Sequence, residues 1–135
     1  MQEYKNLTNY KKEDFLEIEI LKYLQKLQQP VTRPQIAEYL VKNVEEIPND
    51  SLKSVTAKKT GHQYQPFKNR MSFALTSLYK AHLIDRPKRG TTVLTKLGAN
   101  IDTSDKKYIH KLVMEGWEEW NNSSYPSKIP TSYTK

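Results

Sequence analysis

The stretch 66–98, PFKNRMSFALTSLYKAHLIDRPKRGTTVLTKLG, carries the clearest structural signals in the sequence. Its first half predicts a recognition helix over about 66–81, because apolar residues recur there at helical spacing. These residues are Phe67, Met71, Ala74, Leu75 and Leu78. The opposite side of the helix carries short hydrogen-bonding groups, one aromatic ring and one cation, but no acidic residue. Such a face suits an acidic, hydrogen-bonding surface, of which the DNA major groove is an example.

A β-hairpin is predicted directly after this helix, over 84–94. Residues that favour strands flank the sequence Arg86-Pro87-Lys88-Arg89-Gly90 on both sides. Pro87 and Gly90 fit a type I turn, so the tip is expected to project Arg86, Lys88 and Arg89 together. A polar-faced helix followed by a cationic hairpin predicts a winged helix-turn-helix, mainly α-helical with a small β-hairpin. In that fold the helix enters the DNA groove and the hairpin, or wing, contacts the DNA backbone.

An ordered set of residues in this stretch is similar to that of a known family. The set is Asn69, Arg70, Ala74, Leu78, Ala81, Leu83, Ile84, Pro87, Arg89, Gly90, Thr95 and Gly98. With it the chain resembles the N-terminal winged-helix domain of Mrr-type restriction proteins. Two positions depart from the family pattern: Phe73 stands where Trp is usual, and His82 stands where Gly usually follows the recognition helix. In spite of the second departure, His82 is expected to end the recognition helix.

The resemblance implies DNA binding in the context of restriction and modification, and it makes modified DNA a candidate target. Mrr-type proteins usually join this domain to a metal-dependent nuclease domain. The residues after Gly98 are too few for such a domain. The histidines, His62, His82 and His110, show no ligand spacing, and no P-loop or nucleophile-elbow motif occurs. We therefore expect no enzyme activity, no metal and no cofactor.

Positive charge is concentrated on the same region. Between Ser51 and Gly90 there are nine basic residues and one acidic residue, a net charge of +8 in a chain whose total is +7. Focused positive charge is typical of a nucleic-acid-binding protein. The alternative is a solvated basic face without a ligand.

Two groups of side chains are predicted to contact DNA. Base edges are expected to meet Asn69, Arg70, Ser72, Phe73 and Thr76. Phosphates are expected to meet Arg33, Lys58, Lys59, Lys68, Lys80, Arg86, Lys88 and Arg89. Asn suits adenine, whereas hydroxyls accept several bases. Other roles remain open: Phe73 packing beneath the wing, Arg70 contacting phosphate, and Arg33 or the Lys58–Lys59 pair being ordinary surface cations.

The whole chain is predicted to divide into four segments. They are a frayed N-terminus (1–11), the winged-helix domain (12–101), a C-terminal amphipathic helix (102–121) and a flexible tail (122–135). The first helix is expected over about 12–28. Thr32 and Gln35 predict a capping box at the start of the second helix. A short helix around 49–55 and then a loop are expected to lead to the recognition helix.

The last helix is expected to begin at Ser104 or Asp105 and to end near Trp120. Its apolar stripe predicts either a homodimer interface or packing against the first helix. The candidate interface residues are Ile109, Leu112, Val113, Trp117 and Trp120. Gly116 in the same stripe predicts a close helix crossing.

These patterns together predict a double-stranded DNA-binding protein. It would act either as a stand-alone transcription regulator or as the target-recognition module of a restriction system with a separate nuclease subunit. The alternative is a protein-interaction module, such as a phage or mobile-element inhibitor of a nucleic-acid-binding partner. The chain has no cysteine, which excludes disulfides and thiolate metal sites. No signal peptide or membrane span is recognisable, so a cytoplasmic location is expected.

Overall fold

The computed structural model describes residues 4–53, 55–56, 60–61 and 63–123. These residues form five α-helices, a 3-10 helix at Tyr4–Asn6 and two small antiparallel sheets. The helices are α1 (Asn9–Leu27), α2 (Arg33–Asn43), α3 (Pro66–Lys80), α4 (Lys96–Asn100) and α5 (Lys106–Ser123). The strands are β1 (Val31–Thr32), β2 (Val55–Thr56), β3 (Gln63–Tyr64), β4 (Ile84–Asp85) and β5 (Thr91–Leu94). The mainly helical winged-helix architecture predicted from the sequence is confirmed.

The N-terminal segment is anchored by one aromatic side chain. Tyr4 is 5% exposed, and its ring packs against those of Phe15 and Phe67 at centroid distances of 5.9 and 6.0 Å. Thr8 then caps α1, its Oγ1 accepting a hydrogen bond from the backbone N–H of Lys11 at 3.3 Å. The prediction of a frayed segment over 1–11 is therefore wrong for residues 4–11. Residues 124–135, most of the predicted tail, lie outside the described residues.

The second helix begins as predicted. The capping box is confirmed, because Thr32 Oγ1 accepts from the N–H of Gln35 and Gln35 Oε1 accepts from the N–H of Thr32. Strand β1, which directly precedes α2, was not predicted. It pairs with β5 in the sheet order β1–β5–β4, with Val31 opposite Thr92. This pairing holds the start of α2 beside the wing.

The region between α2 and α3 differs from the prediction. The expected helix around 49–55 is absent from the described residues; the backbone instead forms turns closed by Ser51 N–H to Pro48 O and Lys53 N–H to Asp50 O. Strands β2 and β3 then pair with each other, although a loop was expected there. Valine, threonine and tyrosine favour strands, but a two-residue pair is too short to give a recognisable sequence period.

Helix α3 ends in a Schellman motif with a histidine in the position that usually holds glycine. His82 has a φ of 63°. Its N–H donates to the carbonyl of Tyr79, and the N–H of Leu83 donates to the carbonyl of Leu78. These are the two hydrogen bonds that define the motif. His82 therefore ends the helix as predicted, at the energetic cost of a left-handed backbone in a residue with a side chain.

We expect His82→Gly to stabilise the chain by about 1 kcal/mol, because glycine adopts a positive φ without steric cost. The substitution also removes the hydrogen bond between His82 Nε2 and Glu119 Oε1 at 3.3 Å, but both side chains are more than two-thirds exposed, and such surface contacts contribute little. Urea denaturation measures the change. His110→Gly, inside α5, is the control and should lower stability by roughly 0.5 kcal/mol. If both variants are destabilised alike, the strain assigned to His82 is wrong.

The wing is a short hairpin whose turn differs from the predicted one in position and type. In the β4–β5 pair, Ile84 lies opposite Leu94 and Asp85 opposite Val93. The hydrogen-bonded turn runs from Lys88 to Thr91, closed by the Thr91 N–H and the Lys88 carbonyl at 3.1 Å. Gly90 occupies its third position with a φ of 81°. That angle excludes the predicted type I turn and matches the requirement of type II.

Helix α5 packs mainly against α3. Asp105 caps it, accepting from the N–H of Tyr108 at 3.2 Å. A Cβ on Gly116 would lie 2.5 Å from the carbonyl oxygen of Lys80, so the predicted close crossing is confirmed, with α3 as the partner. Ile109 and Val113 are 1% and 4% exposed. The predicted homodimer interface is wrong for these two residues, because they are buried in the core of their own chain.

Candidate nucleic-acid interface

Two arginines converge on the hydroxyl groups of α3. Arg33, the first residue of α2, donates from Nη1 to Ser72 Oγ at 3.4 Å. Arg86, at the base of the wing, donates from Nη2 to Thr76 Oγ1 at 3.4 Å. Since Ser72 and Thr76 are one helical turn apart, α2, α3 and the wing meet on a single surface. We call these four residues the arginine–hydroxyl face.

The arginine–hydroxyl face is strongly electropositive. Desolvation lowers the pKa of Arg86, and the nearby charge of Arg33 lowers it further, whereas Tyr79 raises it. An arginine remains protonated in spite of such shifts. No carboxylate of the described residues forms an ion pair with Arg33 or Arg86. Two neighbouring guanidinium groups without an acidic partner favour the binding of an anion.

The wing arginine is supported by an aromatic ring that the sequence analysis did not single out. The guanidinium carbon of Arg86 lies 4.9 Å from the ring centroid of Tyr79. Arg86 therefore lies back along α3 and does not project with the tip residues Lys88 and Arg89, as was expected. Lys88 and Arg89 are exposed. The helical spacing of Tyr79 and Thr76 was visible in the sequence, but the position of Arg86 over them depends on the fold of the hairpin.

Arg70 and Phe73, both predicted to contact bases, lie on another side of α3. Arg70 Nη1 donates to Glu13 Oε2 on α1, and its guanidinium lies 4.9 Å from the ring centroid of Phe73. Phe73 is 48% exposed and faces a groove between α1 and α5. The alternative in which Phe73 packs beneath the wing is therefore wrong. A helical wheel showed a single polar face and could not show that α1 and α5 cover one edge of it.

Lys80, a predicted phosphate contact, packs against two aromatic rings of α5. Its Nζ lies 4.1 Å from the ring centroid of Trp117 and 3.8 Å from that of Trp120. Desolvation, with a smaller contribution from the charge of Arg86, lowers the pKa of Lys80 to about 8. Lys80 thus joins α3 to α5 by cation–π contacts and does not extend freely from the polar face.

Two of the remaining predicted site residues lie on α3, and two lie outside the described residues. Asn69 is exposed on α3, and Lys68 is half-buried on the same helix. Lys58 and Lys59 lie outside the described residues. The structure thus brings Arg33, Ser72, Thr76 and Arg86 together, whereas Arg70 and Phe73 lie toward α1 and α5. Lys80 is close enough to Arg86 for the charge of Arg86 to lower its pKa, but its ammonium group is held over Trp117 and Trp120.

A buried polar chain on the inner side of α3 was not predicted. Glu17 on α1 is 3% exposed, and its carboxyl group is hydrogen-bonded to Ser77 of α3. Ser77 Oγ also accepts from Trp117 Nε1 of α5 at 3.0 Å. Burial raises the pKa of Glu17 to about 8; the charge of Asp14 adds to the rise and the Ser77 hydrogen bond opposes it. The available signal was an acidic residue between Leu16 and Ile18 on an apolar helix face.

Within the ranges 4–53, 55–56, 60–61 and 63–123, no group of three or more His, Cys, Asp or Glu residues is placed to hold a metal ion. No helix in those ranges is both long and apolar enough to cross a membrane.

Comparison with known families gives a match over most of the described domain. A family model described as the Mrr N-terminal domain matches residues 15–104, which is 90 of the 135 residues. Comparison with curated proteins and with solved structures gives no match. The matched range includes α2, α3 and the wing, and hence the whole arginine–hydroxyl face, and it ends before α5. The matching model describes the N-terminal domain of the family and not a nuclease domain.

Proposed function

This chain belongs to the Mrr N-terminal domain family, and we propose that it binds double-stranded DNA through α3 and the wing. The observation that carries the proposal is the convergence of Arg33 and Arg86 on the hydroxyls of α3. Both are cations without a carboxylate partner among the described residues. The surface has the charge and the hydrogen-bonding groups that a DNA backbone and groove require.

The elements of the face suit different parts of a duplex. Helix α3 enters the major groove, where the exposed Asn69 and the hydroxyls of Ser72 and Thr76 meet base edges. Arg33 and Arg86 lie on either side of these groups and contact the flanking phosphates. In the free protein the arginines donate to Ser72 and Thr76. On binding, stronger acceptors, the phosphate oxygens, replace those hydroxyls and leave them free for the bases.

The wing tip extends the same surface. Lys88 and Arg89 are exposed beyond Arg86 and contact the next backbone segment. Their side chains are long and carry no ion pair within the part of the chain that the structure describes. They therefore contribute affinity that depends on salt and not on the base sequence.

The biological setting consistent with this face is restriction or regulation. A target-recognition module that works with a separate nuclease subunit and a stand-alone regulator would use the same contacts. Modified DNA is the target class that the family suggests. DNA binding is common to all of these roles and is therefore the property to test first.

Replacing both arginines, Arg33→Gln with Arg86→Gln, is expected to weaken binding to a short random duplex by about tenfold. The slope of log K against log salt should become shallower by about two units, because each phosphate that is no longer neutralised removes roughly 0.9. Fluorescence anisotropy at several salt concentrations measures both quantities. Far-ultraviolet circular dichroism and thermal unfolding of the variant show whether the fold is retained.

The matched control removes the same charge elsewhere. Lys22 on α1 and Lys111 on α5 are exposed and lie outside the arginine–hydroxyl face. Lys22→Gln with Lys111→Gln should leave the salt slope almost unchanged. Equal losses in both double variants would show that only net charge matters. If wild type fails to bind even at low salt, the proposal is overturned and the basic face must be assigned to a protein partner.

A further inference from the structure

A groove opens beside the arginine–hydroxyl face, on the side of α3 that is turned toward α1 and α5. It lies between α1, α3 and α5 and encloses about 530 Å³. Its walls include Tyr10, Glu13 and Asp14 of α1, Arg70 and Phe73 of α3, and Met114 of α5. We call it the α1–α3–α5 groove.

The groove collects large apolar side chains that are exposed to solvent. Tyr10 is 83% exposed, Phe73 48% and Met114 56%. Single exposed apolar residues are ordinary, but three that line one concave surface are typical of an interaction site. Methionine and the aromatic residues are also enriched where proteins contact one another.

The charge of the groove has the opposite sign to that of the arginine–hydroxyl face. The Arg70 guanidinium forms an ion pair with the Glu13 carboxylate, and the two charges balance each other. Asp14 does not take part in that ion pair. Its side chain is 48% exposed, and its Oδ1 lies 3.6 Å from His110 Nδ1. Counting Glu13, Asp14 and Arg70, the rim carries two carboxylates and one guanidinium. Such a rim repels phosphate and attracts a cation, so a nucleic acid is not the matching ligand.

We propose that the α1–α3–α5 groove binds a short segment of a partner protein that combines apolar side chains with a lysine or arginine. The apolar residues would contact Tyr10, Phe73 and Met114, and the cation would pair with Asp14 and the outer edge of Glu13. Glu17 also lines the groove, but its side chain is only 3% exposed and its carboxyl group interacts with Ser77, so it adds little charge to the surface that the apolar side chains would meet.

This inference does not depend on DNA binding. The arginine–hydroxyl face contacts α2 and the wing, whereas the groove lies against α1 and α5. Both sites use α3 but no common residue. We therefore expect a partner protein and a duplex to bind the chain at the same time, which is the arrangement that a recognition module with a separate effector subunit requires.

The test begins with a phage-displayed library of short random peptides, selected against the full chain. We expect the selected peptides to combine apolar residues with lysine or arginine. A labelled copy of the best peptide is then titrated by fluorescence anisotropy. Tyr10→Ala with Met114→Ala should weaken its binding by about tenfold, because the peptide can no longer pack on two exposed apolar side chains. Asp14→Lys should weaken it by a similar factor through charge reversal.

The matched control removes exposed apolar side chains from other surfaces. Leu97 and Tyr108 are each 42% exposed and do not line the groove. Leu97→Ala with Tyr108→Ala should leave peptide binding unchanged. All of these variants should bind duplex DNA like wild type, which separates this proposal from the DNA-binding one. The groove proposal is overturned if no peptide is selected, if the selected peptides are acidic, if they ignore the groove variants, or if a DNA duplex displaces them.

Discussion

The free energy of unfolding is expected to fall by roughly 2–5 kcal/mol between pH 5 and pH 8, and Glu17→Gln is expected to remove most of that fall. Glu17 is 3% exposed at the junction of α1, α3 and α5. Few single substitutions outside a core cavity have so large an effect. The effect of Glu17 arises because its ionised carboxylate would be held inside the folded chain, where water cannot solvate it.

The sign follows from the direction of the pKa shift. Burial, the largest cause, and the charge of Asp14 raise the pKa of Glu17 from 4.5 to about 8 in the folded chain. Between these two values the folded chain holds a proton that the unfolded chain has released. The contribution of Glu17 to stability is therefore complete below pH 4.5 and is lost as the pH rises through about 8. Glutamine keeps the shape and the hydrogen bond to Ser77 but does not ionise.

Urea denaturation across this pH range measures the effect as a difference between wild type and Glu17→Gln. The difference cancels the titration of other groups that both proteins share. Glu118→Gln, at an exposed position on α5, is the control and should give a curve parallel to that of wild type. Parallel curves for wild type and Glu17→Gln would show that the Glu17 carboxylate is already ionised in the folded chain near neutral pH.

Local patterns predicted the recognition helix, the wing and the start of α2. The stripe from Phe67 to Leu78 is periodic along one helix, and Thr32 with Gln35 form a cap within one helical turn. Gly116 was identified because a glycine in an apolar stripe indicates close contact. Each of these signals is contained within a few consecutive residues, so the sequence alone is sufficient to recognise it.

Features that depend on distant residues were missed or misassigned. Tyr4 appeared to belong to a polar, frayed end because its partners Phe15 and Phe67 come later in the chain. Arg70 and Lys80 share the polar face of α3 with Ser72 and Thr76, and only the packing of α1 and α5 removes them from it. The composition of a helix face shows what it can bind, whereas the neighbouring helices decide which part of that face remains accessible.

Gly98→Ala is expected to destabilise the chain by roughly 2–4 kcal/mol. A Cβ at this position would lie 1.9 Å from the carbonyl oxygen of Leu83 and 2.9 Å from its carbonyl carbon. Both atoms belong to the backbone, so no side-chain rotation relieves the clash. Leu83 is itself fully buried at the junction of α3 and the wing, and it therefore has little freedom to move.

Helix α4 is also held from its other side. Gln25 Nε2 of α1 donates to the carbonyls of Gly98 and Ile101, each at 2.9 Å. Thr95 Oγ1 donates to the carbonyl of His82 at 2.6 Å and accepts from the N–H of Gly98 at 3.1 Å. Moving α4 away from Leu83 to admit a methyl group would break several of these bonds. The substitution must therefore strain the backbone or separate α4 from α1.

Gly90→Ala at the wing tip provides the comparison for Gly98→Ala. No atom lies within 4 Å of a Cβ at Gly90, although its φ of 81° is unfavourable for alanine. The free energy of unfolding of this variant should fall by only about 1 kcal/mol, because of backbone strain. Urea denaturation of the two variants separates steric exclusion from conformational strain. If Gly98→Ala lowers the free energy of unfolding no more than Gly90→Ala does, α4 can shift easily. In that case the hydrogen bonds from Gln25 of α1 do not fix the position of α4 after the wing.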